Sequence, residues 1–306
     1  MADGDGFQTL NSFQLFAVRA ICYVDRMQNL EGKVGVVTGA ASGIGRSMAE
    51  RFSQEGMSLV LADIEEAALK EVVNQFDTSG GNAIGVVTDV SSKEAIENLA
   101  SETIDAYGAV HILHNNAGVV AAGLLDDLTA NDWEWTIGVN LWSMIYGIHT
   151  FLPLIKETGE GHFVNTSSSE GLQASAGTGA YNVTKFGIIA LTETLSNELK
   201  SFPDINASVL CPGPVQSRII ESERNRPEKL WNDGVPAAGL VDNEQSSDLL
   251  AGAMDPAHVA DQVVQSIKEN RFWIITHDDT KEVVRQRTEA LLKDGSLSAS
   301  LYDFTE

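Results

Sequence analysis

A glycine-rich turn near the start of the chain constrains the fold more than any other sequence feature. Residues 33–38 form a short run rich in valine, Gly39, Gly43 and Gly45 follow it, and a helical pattern then extends to Glu55. Glycines in such a turn let the backbone approach a phosphate group closely, and the free N–H groups at a helix start attract its negative charge. A strand, a glycine-rich turn and a helix in this order predict a dinucleotide-binding unit.

The same alternation of apolar runs and helical patterns continues along the chain. Strands are predicted at residues 33–38, 58–62, 83–87, 110–114, 161–166, 205–210 and 272–276. After the first helix, further helices are predicted at residues 65–76, 94–107, 131–156, 181–201, 256–270 and 280–293. This alternation predicts an α/β fold with a parallel sheet.

Polar side chains follow the second, third and fourth predicted strands. Asp63 ends the second strand, and Asp89 and Asn115 come just after the third and fourth. Ligands of open parallel sheets bind beyond the carboxyl ends of the strands. Asp63 lies 18 residues beyond Gly45, where a carboxylate accepts hydrogen bonds from the ribose hydroxyls of NAD and repels the extra phosphate of NADP. NAD is therefore the favoured cofactor, although Arg46 has two interpretations, a phosphate ligand or a solvated side chain.

Tyr181 and Lys185 form the candidate acid/base pair. They are four residues apart in a predicted helix, so their side chains share one face. A free phenol has a pKa of about 10, and a neighbouring cation lowers that pKa by roughly 1–3. The pair is therefore either a general acid/base unit or an ordinary pair of surface or packing residues.

Two more polar features lie among apolar neighbours. Asn140 falls inside the helical pattern 131–156, where an amide is either a satisfied core group or a site residue. The strand 161–166 leads directly into three serines at 167–169. The long polar segment 217–255 follows the sixth strand. Loops of this length in compact domains often serve a function, and we expect this one to form a lid over the site.

Charge and cysteine usage exclude several classes of partner. The chain has 43 acidic and 20 basic residues, a net charge of −23, which argues against nucleic acids and anionic membranes because both bind basic surfaces. Its two cysteines, Cys22 and Cys211, imply no disulfide framework, and its six histidines show no metal-binding spacing. We therefore expect no metal and a reducing, cytoplasmic environment.

The first 29 residues precede the first predicted strand. No apolar run in the sequence reaches the ~18–20 residues of a membrane span, so we expect no integral membrane contact. Apolar residues recur at helical spacing at Phe13, Phe16, Ala17, Ala20 and Ile21. They predict a short amphipathic helix packed on the body or on a neighbouring subunit, with a membrane surface as the alternative.

Together these residues resemble the short-chain dehydrogenase/reductase family over roughly residues 30–276. The matching positions are the glycines of the turn 38–45, Asp63, Asp89, the Asn-Asn-Ala-Gly sequence at 115–118, Asn140, Ser168, Tyr181, Lys185 and the pair Pro212 and Gly213. The resemblance implies a single-domain, doubly wound, Rossmann-like sheet of about seven strands with helices on both faces. It also places Asn140 at the catalytic asparagine position of the family instead of in the core.

The resemblance implies a role for each of four residues. Tyr181 takes the proton of a substrate hydroxyl during oxidation, or gives one to a carbonyl oxygen during reduction. Lys185 lowers the pKa of Tyr181 and holds the nicotinamide ribose, while Ser168 hydrogen-bonds the substrate oxygen. Asn140 positions a water that links Lys185 to solvent.

The resemblance also implies which residues hold the cofactor. The pyrophosphate contacts are Gly39, Ser42, Gly43, Ile44 and Gly45. The adenosine contacts are Asp63, Asp89 and Val90. The residues along the middle of the cofactor are Asn116, Ala117 and Gly118, and those at its nicotinamide end are Pro212, Gly213, Val215 and Ser217. Residues 1–29, the helical tail 277–306 and the length of segment 217–255 fall outside the family pattern. Relatives form homodimers or homotetramers through the helices 131–156 and 181–201, and we expect the same here.

The favoured hypothesis is an NAD-dependent dehydrogenase or reductase of secondary alcohols and ketones. The lid segment and apolar residues beyond Ser168, such as Leu172, favour a fairly large, partly apolar substrate. One alternative is an NADP-dependent carbonyl reductase of the same family, which Asp63 disfavours. A second is a non-catalytic dinucleotide-binding sensor, which has no need of the four catalytic positions.

Overall fold

A seven-stranded parallel sheet forms the centre of the molecule. The computed structural model describes residues 26–232 and 252–298. The strands are β1 Val34–Thr38, β2 Ser58–Asp63, β3 Asn82–Val87, β4 Ile112–Asn115, β5 Gly161–Thr166, β6 Ile205–Cys211 and β7 Trp273–Ile275. Their order, β3-β2-β1-β4-β5-β6-β7, reverses direction between β1 and β4. This is the doubly wound arrangement, and the predicted fold class is confirmed.

Helices cover both faces of the sheet. They are α1 Gly43–Gln54, α2 Glu66–Ser79, α3 Lys93–Tyr107, α4 Ala130–Ile137, α5 Ser143–Thr158, α6 Gly179–Glu198, α7 Pro256–Lys268 and α8 Asp278–Lys293. Alternate strand residues point to opposite faces. Val37 packs in one apolar cluster with α1, α2 and α7, while its neighbour Val36 packs in another with α3, α5 and α6. The five inner strands are buried on both faces, whereas the edge strands β3 and β7 are partly exposed.

The predicted helix 131–156 is three elements in the structure. A π-helical turn, Gly138–Trp142, separates α4 from α5 and carries Asn140. Sequence periodicity does not distinguish such a turn from a continuous helix. The side chain of Asn140 bonds to the backbone of Val119 on both its oxygen and its nitrogen. These two hydrogen bonds tie the turn to the chain that follows β4.

The segment predicted as an irregular lid is partly helical. Two 3₁₀ helices, Ile219–Asn225 and Glu228–Leu230, occupy its described part. Residues 233–251, the predicted N-terminal helix around residues 13–21 and the tail end at 299–306 lie outside the described residues. Among the helices that the structure describes, none combines the length and apolar character needed to cross a membrane.

Candidate active site

A cleft of about 660 Å³ opens at the carboxyl ends of the strands. It brings together nearly all of the residues predicted from the sequence to serve the site. Those that line it are Gly39, Ser42, Gly43, Ile44, Asp63, Asp89, Val90, Asn116, Ala117, Gly118, Ser168, Tyr181, Lys185, Pro212, Gly213, Val215 and Ser217. Three residues named from the sequence lie outside its lining: Gly45, Asn140 and Leu172. Leu172 packs against an apolar cluster that includes Met144 and Ile188, so it is a packing residue and does not shape the substrate end. Gly45 and Asn140 lie behind the cleft wall, so their contribution passes through neighbouring groups.

The glycine turn has no room for side chains at its three glycines. Gly39 and Gly43 have φ of +67° and +51°, a region that residues with a Cβ rarely adopt. A Cβ on Gly45 would lie 2.0 Å from the carbonyl oxygen of Gly39, so Gly45 serves close packing of turn and helix. Ser42 precedes α1 without a side-chain hydrogen bond to its first N–H groups. Those N–H groups suit the pyrophosphate of a dinucleotide.

Asp63 presents a buried carboxylate to the end of the cleft predicted to hold the adenosine. Its two oxygens accept the backbone N–H groups of Ala41 at 2.9 Å and Glu65 at 3.0 Å. Burial raises the pKa of Asp63, and these hydrogen bonds oppose the rise. A carboxylate has more acceptor sites than two hydrogen bonds use, so it can also accept from a ribose diol. Asp89, by contrast, accepts from the backbone and hydroxyl of Ser91.

Thr38 joins the two strands at the reversal point of the sheet. Its hydroxyl accepts from the backbone N–H groups of Asn116 at 2.8 Å and Ala117 at 3.1 Å. The Asn116 amide donates back to the Thr38 carbonyl at 3.1 Å. The sequence showed Thr38 only as the first position of the glycine motif, because these contacts span more than 75 residues. The hydroxyl fixes the floor on which the middle of a dinucleotide would lie.

Tyr181 and Lys185 lie together in the cleft, with the lysine ammonium 5.2 Å from the centre of the tyrosine ring. Lys185 is almost fully buried and donates to the carbonyl oxygen of Thr166 at 3.0 Å. Burial lowers the pKa of Lys185 to about 7. Such a lysine can gain or lose a proton near neutral pH.

The pKa of Tyr181 differs from the sequence prediction. We expected Lys185 to lower it, but burial raises the pKa of the phenol to about 12. The charge of Glu170 also raises this pKa, while the hydrogen bond with Ser168 lowers it. Loss of solvation disfavours the phenolate more than the chain's own groups favour it. Tyr181 is therefore held in its protonated form.

The three consecutive serines have different contacts. Ser168 hydrogen-bonds Tyr181 and also accepts the backbone N–H of Glu170 at 3.2 Å. The hydroxyl of Ser167 donates to the carbonyl of Lys185 at 2.8 Å, so it supports the helix. Ser169 uses its backbone N–H to bond the carbonyl of Pro212 at 2.8 Å. Of the three, Ser168 has its hydroxyl beside the tyrosine.

Asn140 is fully buried, with its amide satisfied by the fold. It accepts from the N–H of Val119 at 2.8 Å and donates to the carbonyl of Val119 at 2.9 Å and to the hydroxyl of Thr184 at 3.1 Å. A Cβ built on Gly118 would lie 3.5 Å from both the Asn140 oxygen and the Lys185 nitrogen. Asn140 thus borders the same backbone position as Lys185 from behind the wall of the cleft.

The loop after β6 is fixed by groups from two other elements. The N–H of Gly213 donates to the ring of His277 at 3.2 Å. A Cβ on Gly213 would lie 2.9 Å from that ring. The carbonyl of Pro212 accepts from Ser169. His277, which follows β7, carries no motif in the sequence, yet its ring supports the predicted nicotinamide end of the cleft.

Residues between Ser217 and Leu230, the described start of the segment predicted as a lid, line one end of the cleft. Leu230 packs in a cluster with Val119 and Trp135. Arg226, with its side chain fully buried, forms ion pairs with Asp132 and Glu223. Its guanidinium also lies 5.0 Å from the ring centre of Trp135. These contacts attach this segment to α4.

The sequence left two interpretations of Arg46 open, a phosphate ligand or a solvated side chain. Arg46 is partly exposed and bonds Glu50 and Gln75, which favours its interpretation as a solvated side chain. Across residues 26–232 and 252–298, no group of three or more His, Cys, Asp or Glu side chains is placed to hold a metal ion.

Comparison with known proteins agrees with the class that fold and cleft define, a dinucleotide-binding α/β protein. The sequence pattern of the family described as short chain dehydrogenase matches residues 33–228. The chain belongs to the short-chain dehydrogenase/reductase family. As a member it is an oxidoreductase that acts on CH–OH groups with a nicotinamide dinucleotide.

Individual relatives cover almost the whole chain. A solved short-chain dehydrogenase/reductase from Burkholderia phymatum, in complex with NAD, is 38% identical with a TM-score of 0.85, covering 90% of this chain and 99% of that one. A C alpha-dehydrogenase from a Sphingobium species is 32% identical over 272 residues, 87% of each chain. A CLA biosynthesis dehydrogenase/reductase from Lactiplantibacillus plantarum is 28% identical over 283 residues, 90% of this chain and 99% of the relative.

Proposed function

We propose that this chain is an NAD-dependent dehydrogenase or reductase of secondary alcohols and ketones, with Tyr181 as its general acid/base. The observation that carries the proposal is the meeting of Tyr181, Ser168 and Lys185 in the cleft that Asp63 also lines. A proton donor, a hydroxyl partner and a titratable lysine thus share one cavity with a carboxylate suited to a ribose diol. A protein that only binds a dinucleotide needs the carboxylate, but it does not need the proton donor, the hydroxyl partner or the titratable lysine.

In the reductive direction the phenol is ready to act. Because its pKa is raised to about 12, Tyr181 is protonated at neutral pH and donates its proton to the carbonyl oxygen of the substrate. Ser168 hydrogen-bonds the same oxygen and stabilises its developing negative charge. NADH, when bound, supplies the hydride that the carbonyl carbon receives.

In the oxidative direction the proton flow reverses. The alcohol gives its hydroxyl proton to Tyr181 and its carbon-bound hydride to NAD. For this Tyr181 must first lose a proton, and Lys185, with a pKa of about 7, is the adjacent group whose charge favours the phenolate. Asn140 borders Lys185 and orients a water that connects it with solvent. This assigns Asn140 a proton-relay role in addition to its hydrogen bonds within the fold.

The proposed cofactor contacts follow the length of the cleft. The pyrophosphate site consists of Gly39, Ser42, Gly43, Ile44 and Gly45. The adenosine site consists of Asp63, Asp89 and Val90. The path to the nicotinamide is formed by Asn116, Ala117, Gly118, Pro212, Gly213, Val215 and Ser217. NAD is favoured over NADP because Asp63 is a carboxylate already held by two backbone N–H groups. A phosphate on the ribose would meet that negative charge.

The apolar wall of the cleft supports a fairly large, partly apolar substrate. Trp135, Trp142, Ile219 and Leu230 line it. We assign catalysis to one domain over residues 30–276, with 217–255 as its lid, 1–29 as an extension and 277–306 as a helical tail. We also propose a cytoplasmic location, because the two cysteines imply no disulfide framework.

A turnover screen with a matched pair of tyrosine variants tests the proposal. Purified protein is mixed with NAD, NADP or their reduced forms and a panel of secondary alcohols, ketones, steroids and aryl carbinols, while reduced nicotinamide is followed by absorbance. Tyr181→Phe should lower turnover by about 10²–10⁴-fold and leave NAD affinity, measured by calorimetry, nearly unchanged. The control is Tyr107→Phe, since Tyr107 bonds Leu59 and Asn82 outside the cleft.

Three outcomes would contradict the proposal in different parts. Turnover of Tyr181→Phe at the wild-type rate would remove Tyr181 from the mechanism. Turnover with NADP and not with NAD would favour the alternative carbonyl reductase. NAD binding with no turnover across the panel would favour the dinucleotide-binding sensor.

A further inference from the structure

We propose that Glu65 is a second specificity-determining residue of the cofactor site, because it occupies the arginines that could otherwise bind the 2′-phosphate of NADP. This inference rests on the NAD preference proposed above. It concerns the contacts between the adenosine end of the cleft and the lid. Glu65 follows Asp63 by two residues, and both line the cleft.

Glu65 is the point where three lid residues converge. One of its oxygens accepts from Arg224 Nε at 3.0 Å and from Asn225 Nδ2 at 3.1 Å, and it also accepts from Arg224 Nη2. Its other oxygen lies 3.5 Å from Arg218 Nη1. Burial alone would raise the pKa of Glu65, but the hydrogen bonds from Arg224 and Asn225 outweigh it and hold the pKa below its ordinary value.

Glu65 is also in direct contact with the residue expected to bind the ribose. Its own backbone N–H donates to Asp63 Oδ1 at 3.0 Å. A phosphate on the 2′-oxygen of that ribose would therefore lie beside two carboxylates, those of Asp63 and Glu65. Such a phosphate carries about −1.5 to −2 charge at neutral pH, so it needs a cation that is free to bind it.

The basic side chains that line the described cleft are few. They are Lys185, Arg218, Arg224 and Lys229. Lys185 is buried beside Tyr181. Arg218 and Arg224 reach the adenosine end, and there Glu65 contacts both. Removing the charge of Asp63 alone would thus leave a carboxylate in place and both guanidinium groups engaged.

Arg224 is held in position by more than Glu65. Its Nη1 donates to the backbone carbonyls of Arg218 at 3.0 Å and Glu221 at 2.9 Å. Arg218 keeps a second carboxylate partner, Glu221, at 2.9 Å. Neutralising Glu65 would therefore free the charge of Arg224 while its guanidinium stays beside the ribose position. Arg224 is the residue expected to bind a 2′-phosphate, since guanidinium groups bind phosphate in a bidentate manner.

A calorimetric series with NAD and NADP tests the inference without any substrate. The proteins are wild type, Asp63→Asn, the double variant Asp63→Asn/Glu65→Gln and the triple variant that adds Arg224→Gln. The double variant should bind NADP at least about tenfold more tightly than Asp63→Asn, because a charge-assisted contact to phosphate is gained. The triple variant should lose that gain. Thermal melting of each protein confirms that it is folded.

Glu66 provides the matched control. It is the next residue, and it pairs with Lys70 on the surface of α2 instead of with the lid. Asp63→Asn/Glu66→Gln should bind NADP as Asp63→Asn does. A tenfold gain in this control would mean that general loss of negative charge, and not release of Arg224, raises NADP affinity.

The outcomes separate this inference from the proposed function. If wild type binds NADP as tightly as NAD, the proposed cofactor preference is wrong, whatever Glu65 does. If wild type prefers NAD but the double variant gains nothing, or its gain survives Arg224→Gln, the inference is overturned. In that case Glu65 only fastens the lid.

Discussion

Asn140 shows how one side chain serves the fold and borders the chemistry. Its amide makes three hydrogen bonds in a fully buried position, two of them to the backbone of Val119. A buried backbone group left without a partner costs free energy because no water replaces the lost bond. Loss of Asn140 should therefore lower the stability of the chain as well as its activity.

Asn140→Ala should reduce the free energy of unfolding by about 2–4 kcal/mol, since it leaves both the N–H and the carbonyl of Val119 unpaired. Thr184→Val, which removes one of the three partners of the Asn140 amide, should cost about 1 kcal/mol. Urea unfolding of both variants checks the order. A loss in Asn140→Ala no larger than that in Thr184→Val would mean that water or local rearrangement satisfies Val119.

At the residue scale, the sequence predicted which residues belong to the site better than it predicted the contacts and pKa values of those residues. The positions of Ser168, Tyr181 and Lys185 followed from motif spacing, and the structure places all three in one cleft. The raised pKa of Tyr181 did not follow, because it depends on burial by residues distant in the chain. The contact between Glu65 and Arg224 has the same origin, since 159 positions separate the two residues.

At the scale of secondary structure, residues 217–230, the described start of the proposed lid, are fixed at two points of different character. One is Glu65, whose contacts with Arg218 and Arg224 involve partly exposed side chains. The other is Arg226, whose side chain is fully buried against Asp132, Glu223 and the ring of Trp135. We expect the buried point to set the stability of the lid and the shape of the apolar end of the cleft.

Arg226→Met should lower the free energy of unfolding by about 3–5 kcal/mol, because it leaves Asp132 and Glu223 without their buried cation. It should also raise the substrate KM more than it lowers kcat, since Trp135 and Leu230 lose their support. Urea unfolding and steady-state kinetics measure the two effects.

Arg285→Ala is the control for this prediction. Arg285 pairs with Glu282 and Glu289 on the exposed surface of α8, where ion pairs contribute little. It should leave both stability and KM unchanged. Equal effects in the two variants would show that the burial of Arg226 adds nothing to the strength of its contacts.

Element bounds followed the sequence closely except where a contact changes the local geometry. Strands β1, β2 and β5 begin and end within one residue of the predicted ranges. The predicted helix 131–156 is interrupted by the π-helical turn Gly138–Trp142. The apolar periodicity continues through it, so the interruption was invisible in the sequence. The hydrogen bonds to Val119 come from tertiary structure.

At the scale of the whole molecule, two core histidines make stability depend on pH. Burial lowers the pKa of His114 and of His162 to about 3, while an unfolded histidine has a pKa of about 6.5. The unfolded chain therefore binds more protons than the folded chain between these values. Stability should fall as the pH drops below 6.5, by about 2 kcal/mol for each histidine at pH 5.

His162→Asn should flatten this dependence, because it removes one of the two groups. Urea unfolding at several pH values between 7.5 and 5 gives the slope, which is compared between variants instead of absolute stability. His258→Asn is the control, since His258 is exposed on α7. An unchanged slope in His162→Asn would show that His162 does not contribute to the acid sensitivity.

Subunit assembly is a prediction that rests on resemblance. Trp142 and Val183 are exposed large apolar residues on the segments expected to pair, 131–156 and 181–201. Light scattering should give the mass of a dimer or tetramer, and Val183→Glu should shift it toward the monomer. A monomeric mass for wild type would contradict the prediction.

Strand order was the part of the whole fold that local patterns could not supply. Alternation of strands and helices predicted a parallel sheet, but the reversal between β1 and β4 was expected only through the family resemblance. Thr38, which bonds Asn116 and Ala117 across that reversal, shows the reason. Which strands become neighbours is decided by contacts between distant parts of the chain.

The position of β4 also has a consequence for the nascent chain. Strands β1 to β4 and the glycine turn lie within the first 115 residues and form four adjacent places in the sheet. They can associate during synthesis before β5, residues 161–166, has left the ribosome. Until then β4 is an open edge whose unpaired backbone can join another chain. The half-finished floor of the dinucleotide cleft is thus open to association with another chain until β5 pairs with β4.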